Sequence, residues 1–300
     1  MISPALLVLG IAVAADLLVG EWPERIHPVA MFGQIIAVFD RSWARPTGVG
    51  VAIVLVLPGM VAVLLGALTA TILRVTLVGG VLVGAAILFS TISLRMLVEV
   101  AYDVVALASH DEDRARAAVS ALVGRDPSAL SAGQLRSAVV ESLAENLADG
   151  FVAPLTAFVI GANISLGVGI AAAVWVKGVN TMDSMLGYRS KPVGWASARM
   201  DDVVMWVPAR LTAVLLAIGA RDVGALRQAR AWAHVPASPN SGWPMATLAV
   251  ALDVTLEKPG AYRLHPGRRL PTSSDAERAV RITAMSGVIG IIVAGAVLWL

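Results

Sequence analysis

The sequence predicts an all-α fold: a polytopic integral membrane helical bundle with broken or re-entrant helices and cytoplasmic helical loops. Three observations predict it. Hydrophobic residues make up 57% of the 300-residue chain and charged residues only 15%, against about a quarter charged in soluble domains; the mean hydropathy is +0.78. Several apolar runs reach the roughly 20 residues that a bilayer span needs. Lys and Arg collect in particular polar segments and avoid others. The chain reads as one membrane-embedded domain, residues 1–300.

The first run, MISPALLVLGIAVAADLLVG, lacks a positively charged leader. Asp16 stands where a signal peptide carries small neutral residues. Residues 2–20 are therefore expected to be a retained first membrane helix. Residues 49–72 and 75–94 form a second and third span, joined by a tight turn at Arg74. Residues 282–300 form the last span, approached through Arg278 and Arg281. Two apolar stretches are less regular. Residues 151–176 are Gly-rich and broken at Gly161 and Asn163, and 203–220 carry Pro208 and Arg210. An arginine at bilayer depth normally faces protein or a water-filled interior. Both stretches are expected to be re-entrant or short membrane helices.

The remaining segments, 21–48, 95–150 and 221–281, are polar. The second carries a turn signal, GRDP, at 124–127. Arg25, Arg41 and Arg45 lie in the first, five basic residues in the second and nine in the third. The positive-inside rule puts all three on the cytoplasmic side. If the two irregular stretches dip in and return, residues 177–202, with four basic residues, stay on that side too. Non-helical backbone at membrane depth requires a protein or water cavity. No internal repeat or low-complexity tract occurs.

Several chemistries are excluded. The chain has no cysteine, so disulfides, thiolate metal sites and cysteine nucleophiles are out. The net charge of +2 comes from scattered residues, which suits anionic lipid and not nucleic acid. There is no P-loop, no GxGxxG after a strand and no GxSxG elbow. His27, His110, His234 and His265 lack zinc-ligand spacing.

What remains is a set of polar constellations. ESLAENLADG places Glu141, Glu145 and Asp149 at i, i+4 and i+8, on one face of a helix. Like charges at that spacing repel, so the face needs arginines or a divalent cation; oxygen ligands alone suit Mg²⁺. VNTMDSMLGYRSK brings Asn180 and Asp183 together with Lys177, Arg189 and Lys191. Lys and Arg hold phosphate, and an aspartate beside them can hold a metal. Asp201 and Asp202 precede an apolar helix that contains Arg210, whose expected partner is a carboxylate or phosphate. The Ser238–Gly242 turn, SPNSG, exposes backbone N–H groups that can cradle an anion.

ESLAENLADGFVAPL, NTMDSMLGYRS, GWASARMDD…PAR and SPNSG, in that order, resemble the CobD/CbiB family, adenosylcobinamide-phosphate synthase. Asp16…Gly20…His27-Pro28-Val29…Gly33 and Gly124-Arg125-Asp126 are similar to it as well. The pattern departs at two places. His234 stands four residues before Ser238, where the family has His directly before Pro-Ser-Pro-Asn. Met205 and Trp206 stand ahead of Pro-Ala-Arg, where an Asn is common.

The resemblance implies an integral membrane enzyme of cobalamin biosynthesis. It would form an amide between a propionate carboxyl of adenosylcobyric acid and (R)-1-amino-2-propanol or its O-phosphate, with ATP and Mg²⁺. On that reading the catalytic residues are Glu141, Glu145, Asn146, Asp149, Asn180 and Asp183. Lys177, Arg189, Lys191, Arg210, Ser238 and Asn240 neutralise or cradle phosphate. Glu145, Asp149, Asp183 and Asp201 hold Mg²⁺. Partners are the corrinoid, the amine and membrane lipid. The competing reading is a membrane transporter of a polar or corrinoid solute, which broken helices would suit but which lacks an inverted repeat. A prenyltransferase would need Asn and Asp at regular four-residue steps on two helices, and Asn180 and Asp183 stand three apart.

Overall fold

The computed structural model describes residues 3–107, 114, 116, 117, 130–188 and 190–300. The turn expected at 124–127 and His110 lie outside them. The described chain is helical apart from one two-stranded hairpin. It divides into two compact units: Met1–Ser93, Asp149–Met205 and Ile291–Leu300 in the first, and Leu94–Ala148 with Trp206–Gly290 in the second.

The first unit is built on α1 (Pro4–Val19), α2 (Pro28–Ala37), α3 (Pro46–Val75) and α4 (Leu77–Phe89). Each starts where chemistry marks a start. Ser3 Oγ caps α1 by accepting the Leu6 N–H at 3.2 Å, and His27 Nδ1 caps α2 by accepting the Val29 N–H at 3.2 Å. Proline opens α1, α2 and α3, where its missing N–H removes no bond. α3 is a 30-residue apolar helix, long enough to cross a bilayer. Its Leu55, Val56, Val63 and Leu64 are exposed, as lipid-facing residues are.

Two expected spans are shorter than predicted. α1 has 16 residues and α4 only 13. At 1.5 Å per residue, α4 covers about 20 Å, against about 30 Å of hydrocarbon. The apolar letters run on to Leu94, but Ser90 and Thr91 turn their hydroxyls back onto the Ala86 and Leu88 carbonyls and the helix ends. Hydroxyl-to-carbonyl bonds of this kind weaken and bend helices.

Between Phe151 and Val176 the chain forms α7 (Ala153–Ala162) and the first half of α8 (Leu166–Leu186), with the break at Asn163–Ser165 where the sequence marked it. α7 and α8 pack on each other, and α8 packs along α3. That last contact is a glycine contact. A β-carbon on Gly66 would stand 2.5 Å from the Gly167 carbonyl oxygen, and one on Gly167 would stand 2.8 Å from the Gly66 oxygen. Ala70 and Ala171, four residues further on each helix, complete a small-xxx-small pair. Lower down, Gly178 fits beneath Pro58 of α3. Met182 and Leu186 of α8 then bury against Ile36, Ile53, Val54 and Val193. α9 (Trp195–Val204) packs on both α8 and α3.

The second unit holds α5 (Arg95–Leu107), α6 (Ala132–Leu147), α10 (Trp206–Gly219), α11 (Gly224–Ala229), α12 (Gly242–Leu252) and the hairpin β1 (Leu256–Lys258)–β2 (Tyr262–Leu264). Helix α13 (Ser273–Trp299) begins in it and is a second helix of spanning length. A Ser131–Gln134 capping box opens α6. α6 lies in the segment 95–150, expected to be polar, helical and cytoplasmic. It continues instead through a π-turn at Ala148–Val152 into α7, and Ala132–Ala162 is a third helix of spanning length. α9 and α10, separated at Met205, qualify only if taken together. α12 and the hairpin went unforeseen inside 221–281. α12, GWPMATLAVAL, is buried at nearly every position, so a short core helix was hidden in a segment judged by its flanking charges.

The glycine contact generates a test. Gly66→Leu forces a side chain into the Gly167 backbone, and overpacking of this kind costs about 1–3 kcal/mol or more. Thermal unfolding in detergent should show a clear loss of stability, while Gly59→Leu, at a position with open space around it, should not.

Candidate functional site

In the first unit the polar residues gather around the second half of α8. Lys177 lines an apolar cavity of about 330 Å³, with Trp22, Phe32, Pro58 and Leu65 among its walls. The carboxylates whose charge it feels are Asp149 and Glu21. Glu21 is itself organised: it accepts the Ser93 hydroxyl at 2.7 Å and lies 3.0 Å from His27 Nε2. Because His27 Nδ1 accepts the Val29 N–H, the ring proton belongs on Nε2, which donates to Glu21. A neutral imidazole therefore bridges the cap of α2 and a carboxylate. Sequence reasoning marked His27 only within the family motif and passed over Glu21. The only signal was their six-residue spacing across a short loop.

Further along α8, Asn180 is buried, and its amide reaches Asp201 Oδ1 of α9 at 3.5 Å, the long limit of a hydrogen bond. Asp183 lies one turn on. Burial, and then the neighbouring Asp202 carboxylate, push it up to about 6. Gly187 ends the helix, and any β-carbon there would collide with the Asp183 carboxylate. Lys191, expected to hold phosphate, is instead engaged by protein: its ammonium donates to Asp40 at 2.7 Å and to the Met185 carbonyl at 3.0 Å. Arg189 lies outside the described residues.

The carboxylates of ESLAENLADG do not share one environment, as their spacing had suggested. Glu141 is buried, Glu145 is exposed and Asp149 is half-buried. The α-helical repeat stops at Leu147, and the π-turn that contains Asp149 closes with wider bonds, which re-aims the residue. The Gly150 carbonyl in that turn accepts the Ser93 N–H at 3.0 Å. Asn146 is half-buried on the last α-turn.

Glu141 belongs to a network of the second unit. It accepts the Ser137 hydroxyl at 2.8 Å and the Tyr262 hydroxyl at 2.7 Å, and Ser137 Oγ in turn accepts the Glu257 N–H at 2.7 Å. This carboxylate ties α6 to the hairpin. Arg210 also has a structural anchor. Its guanidinium donates to Asn240 Oδ1 at 2.6 Å and to the carbonyls of Pro239 and Trp206, and it lies over the rings of Trp206 and Trp243. Within the protein its partners are thus an amide and two carbonyls, not the carboxylate expected. Ser238 Oγ accepts the Asn240 N–H at 3.2 Å, so the SPNSG turn uses one of its own donors.

Among the described residues, no three of His, Cys, Asp and Glu are grouped as a metal site. Glu145, Asp149, Asp183 and Asp201 therefore do not form a ready-made cage. A Mg²⁺ that arrives with nucleotide phosphates needs only one or two carboxylates, and Asp201 and Asp202 would supply those.

Two measurements follow. Tyr262→Phe removes one hydrogen-bond donor from Glu141. Hydrogen bonds to charged groups contribute about 1.5–3 kcal/mol, and unfolding in detergent should register a loss of that order. Asp183 holds its proton up to about 6 in the fold, against 3.8 ordinarily. Between those values the folded state binds more protons than the unfolded state, so stability falls as pH rises through them. Asp183→Asn lacks this penalty. It should melt above wild type near neutral pH and converge with it as pH drops below that window; a gap that widens on acidification contradicts the assignment.

The comparisons with known proteins agree along the chain. The family model described as CobD/Cbib protein matches residues 9–291. A probable cobalamin biosynthesis protein CobD of Methanothrix thermoacetophila is 36% identical over 301 residues, covering 94% of this chain and 93% of its own. The cobalamin biosynthesis protein CobD of Sinorhizobium fredii is 33% identical, covering 92% and 91%. That of Rhodobacter capsulatus is 35% identical and covers 96% of each. No solved structure matches. With a family match over almost the whole chain and relatives above 30% identity along more than nine-tenths of it, this protein belongs to the CobD/CbiB family.

Proposed function

We propose that this protein is a membrane synthase of cobalamin biosynthesis that joins a propionate carboxyl of adenosylcobyric acid to (R)-1-amino-2-propanol or its O-phosphate. Family membership over residues 9–291 supports the pathway, and relatives named for cobalamin biosynthesis point the same way. The observation that carries the chemistry is the Asn180–Asp183–Asp201 group on α8 and α9. It sets a buried amide beside carboxyls, one of which titrates at about 6.

The new bond is an amide; the C–O bond of the carboxyl breaks, and with ATP as activator its oxygen would leave in phosphate, with ADP as the other product. A carboxylate does not lose its oxygen to an amine unaided. ATP, with Mg²⁺, would activate that carboxyl by phosphoryl transfer, releasing phosphate when the amine attacks. The amine must shed a proton. A carboxylate with a pKa near 6 accepts that proton close to neutral pH better than an ordinary aspartate does, which assigns Asp183 as general base. Asn180 orients the reacting carboxyl or amine through its amide. Lys191 and Arg210 set the shape of the loop after α8 and of the SPNSG turn. ATP and corrinoid are cytoplasmic, so the second half of α8 and the start of α9 are assigned to that side.

The test is purified protein with adenosylcobyric acid, Mg-ATP and either amine, followed by mass spectrometry of the corrinoid. The expected product carries one added amine less one water. Asp183→Ala that remains folded should lose at least about 10²-fold in rate, the scale of general-base catalysis. Absence of product with both amines would remove the amide-forming reading.

A further inference from the structure

We infer that the cleft between α10 and α13 of the second unit is a binding site for an acidic phospholipid of the surrounding bilayer, distinct from the reaction. The cleft has a volume of about 580 Å³. Arg221, Arg278 and Arg281 stand in its wall, and Ile218, Ile282, Met285 and Ile289 line the rest.

The sequence order explains this arrangement. Arg278 and Arg281 are the last charged residues before the apolar run of α13. Arg221 follows directly on the apolar end of α10, held in the left-handed region at φ 57°. The two helices meet closely there. A β-carbon on Gly219 would fall 2.5 Å from Ser286 Oγ, and Ser286 donates to the Leu215 carbonyl at 3.0 Å. The missing side chain lets α10 and α13 touch, and the groove opens beside the contact.

The charges select the occupant. Arg221 and Arg278 have no ion-pair or hydrogen-bond partner among the described residues, and Arg281 has only Glu277, at 3.8 Å and largely exposed. Three guanidiniums at the head of a membrane helix lie at the level of lipid phosphates. The guanidinium fork matches phosphate geometry. Met285 and Ile289 continue one and two turns down α13, so an alkyl chain joined to that phosphate meets an apolar wall. An acidic headgroup satisfies the arginines; a choline headgroup carries a cation into them.

The experiment uses the full chain. Protein stripped of lipid is mixed with equal phosphatidylglycerol and phosphatidylcholine of identical chains, and retained lipid is measured after gel filtration. Wild type should retain phosphatidylglycerol preferentially. Each arginine near the surface contributes about 1 kcal/mol, roughly fivefold, so Arg278→Gln with Arg281→Gln should cut retention by about 20–30-fold. Arg221→Gln alone should cut it about fivefold. Arg227→Gln with Arg230→Gln, the same loss of charge on α11, should leave it unchanged. Equal retention of both lipids by wild type, equal losses from the two double variants, or displacement of the lipid by millimolar inorganic phosphate would overturn the proposal.

Discussion

The approach of α8 to α3 through Gly66 and Gly167 underlies the rest of the first unit. In hydrocarbon there is little hydrophobic drive to bring two helices together, so packing depends on how close their backbones can come. Glycine on both faces removes the side chains that would hold them apart. Once α8 is seated, Gly178 fits under Pro58, and Met182 and Leu186 enter the core with Ile36 and Val54. Residues 177, 180 and 183 are thereby confined to the remaining faces of the same helix. The apolar contacts decide where Lys177, Asn180 and Asp183 point.

Buried polar groups in this chain are mostly connected. Glu141 has Ser137 and Tyr262, Glu21 has Ser93 and His27, and Arg210 has Asn240 with two carbonyls. In each case one bond joins segments far apart in sequence, Glu141 to Tyr262, Glu21 to Ser93 and Arg210 to Asn240, so these groups hold the fold in register as well as serving any chemistry. Asp183 is the half-buried group that suggests chemistry. Desolvation and Asp202 both work against its charge, and strained protonation equilibria of this kind concentrate at functional sites.

The comparison of sequence with structure is uneven, for identifiable reasons. Residues 49–72 and 282–300 were legible because long apolar runs leave the backbone no alternative to helix in a bilayer; 49–72 and 282–299 lie within helices of spanning length. The break near Asn163 was legible from Gly161 and the Asn itself. The early end of α4 was not, because it depends on the Ser90 and Thr91 hydroxyls choosing their own helix carbonyls. The buried helix α12 was masked by the arginines around it. Arg210 was rightly marked as an arginine with an interior partner, yet that partner, Asn240, lies thirty residues away.

By itself the sequence determined that this is an apolar, helical chain without cysteine, that its polar motifs fall in the order of one family, and that Asn180 and Asp183 deserve weight among its charged and amide groups. Those facts are local: hydropathy, spacing and motif order are properties of neighbouring letters. Only the tertiary structure decided which carboxylates share an environment. The α-helical period predicted Glu141, Glu145 and Asp149 on one face, and the π-turn at Ala148–Val152 re-aimed the last of them. Tyr262 drew Glu141 into the hairpin network, while Glu145 stayed exposed. Charge and hydrogen-bond environment depend on what packs from elsewhere in the chain, and no periodicity within one segment carries that information.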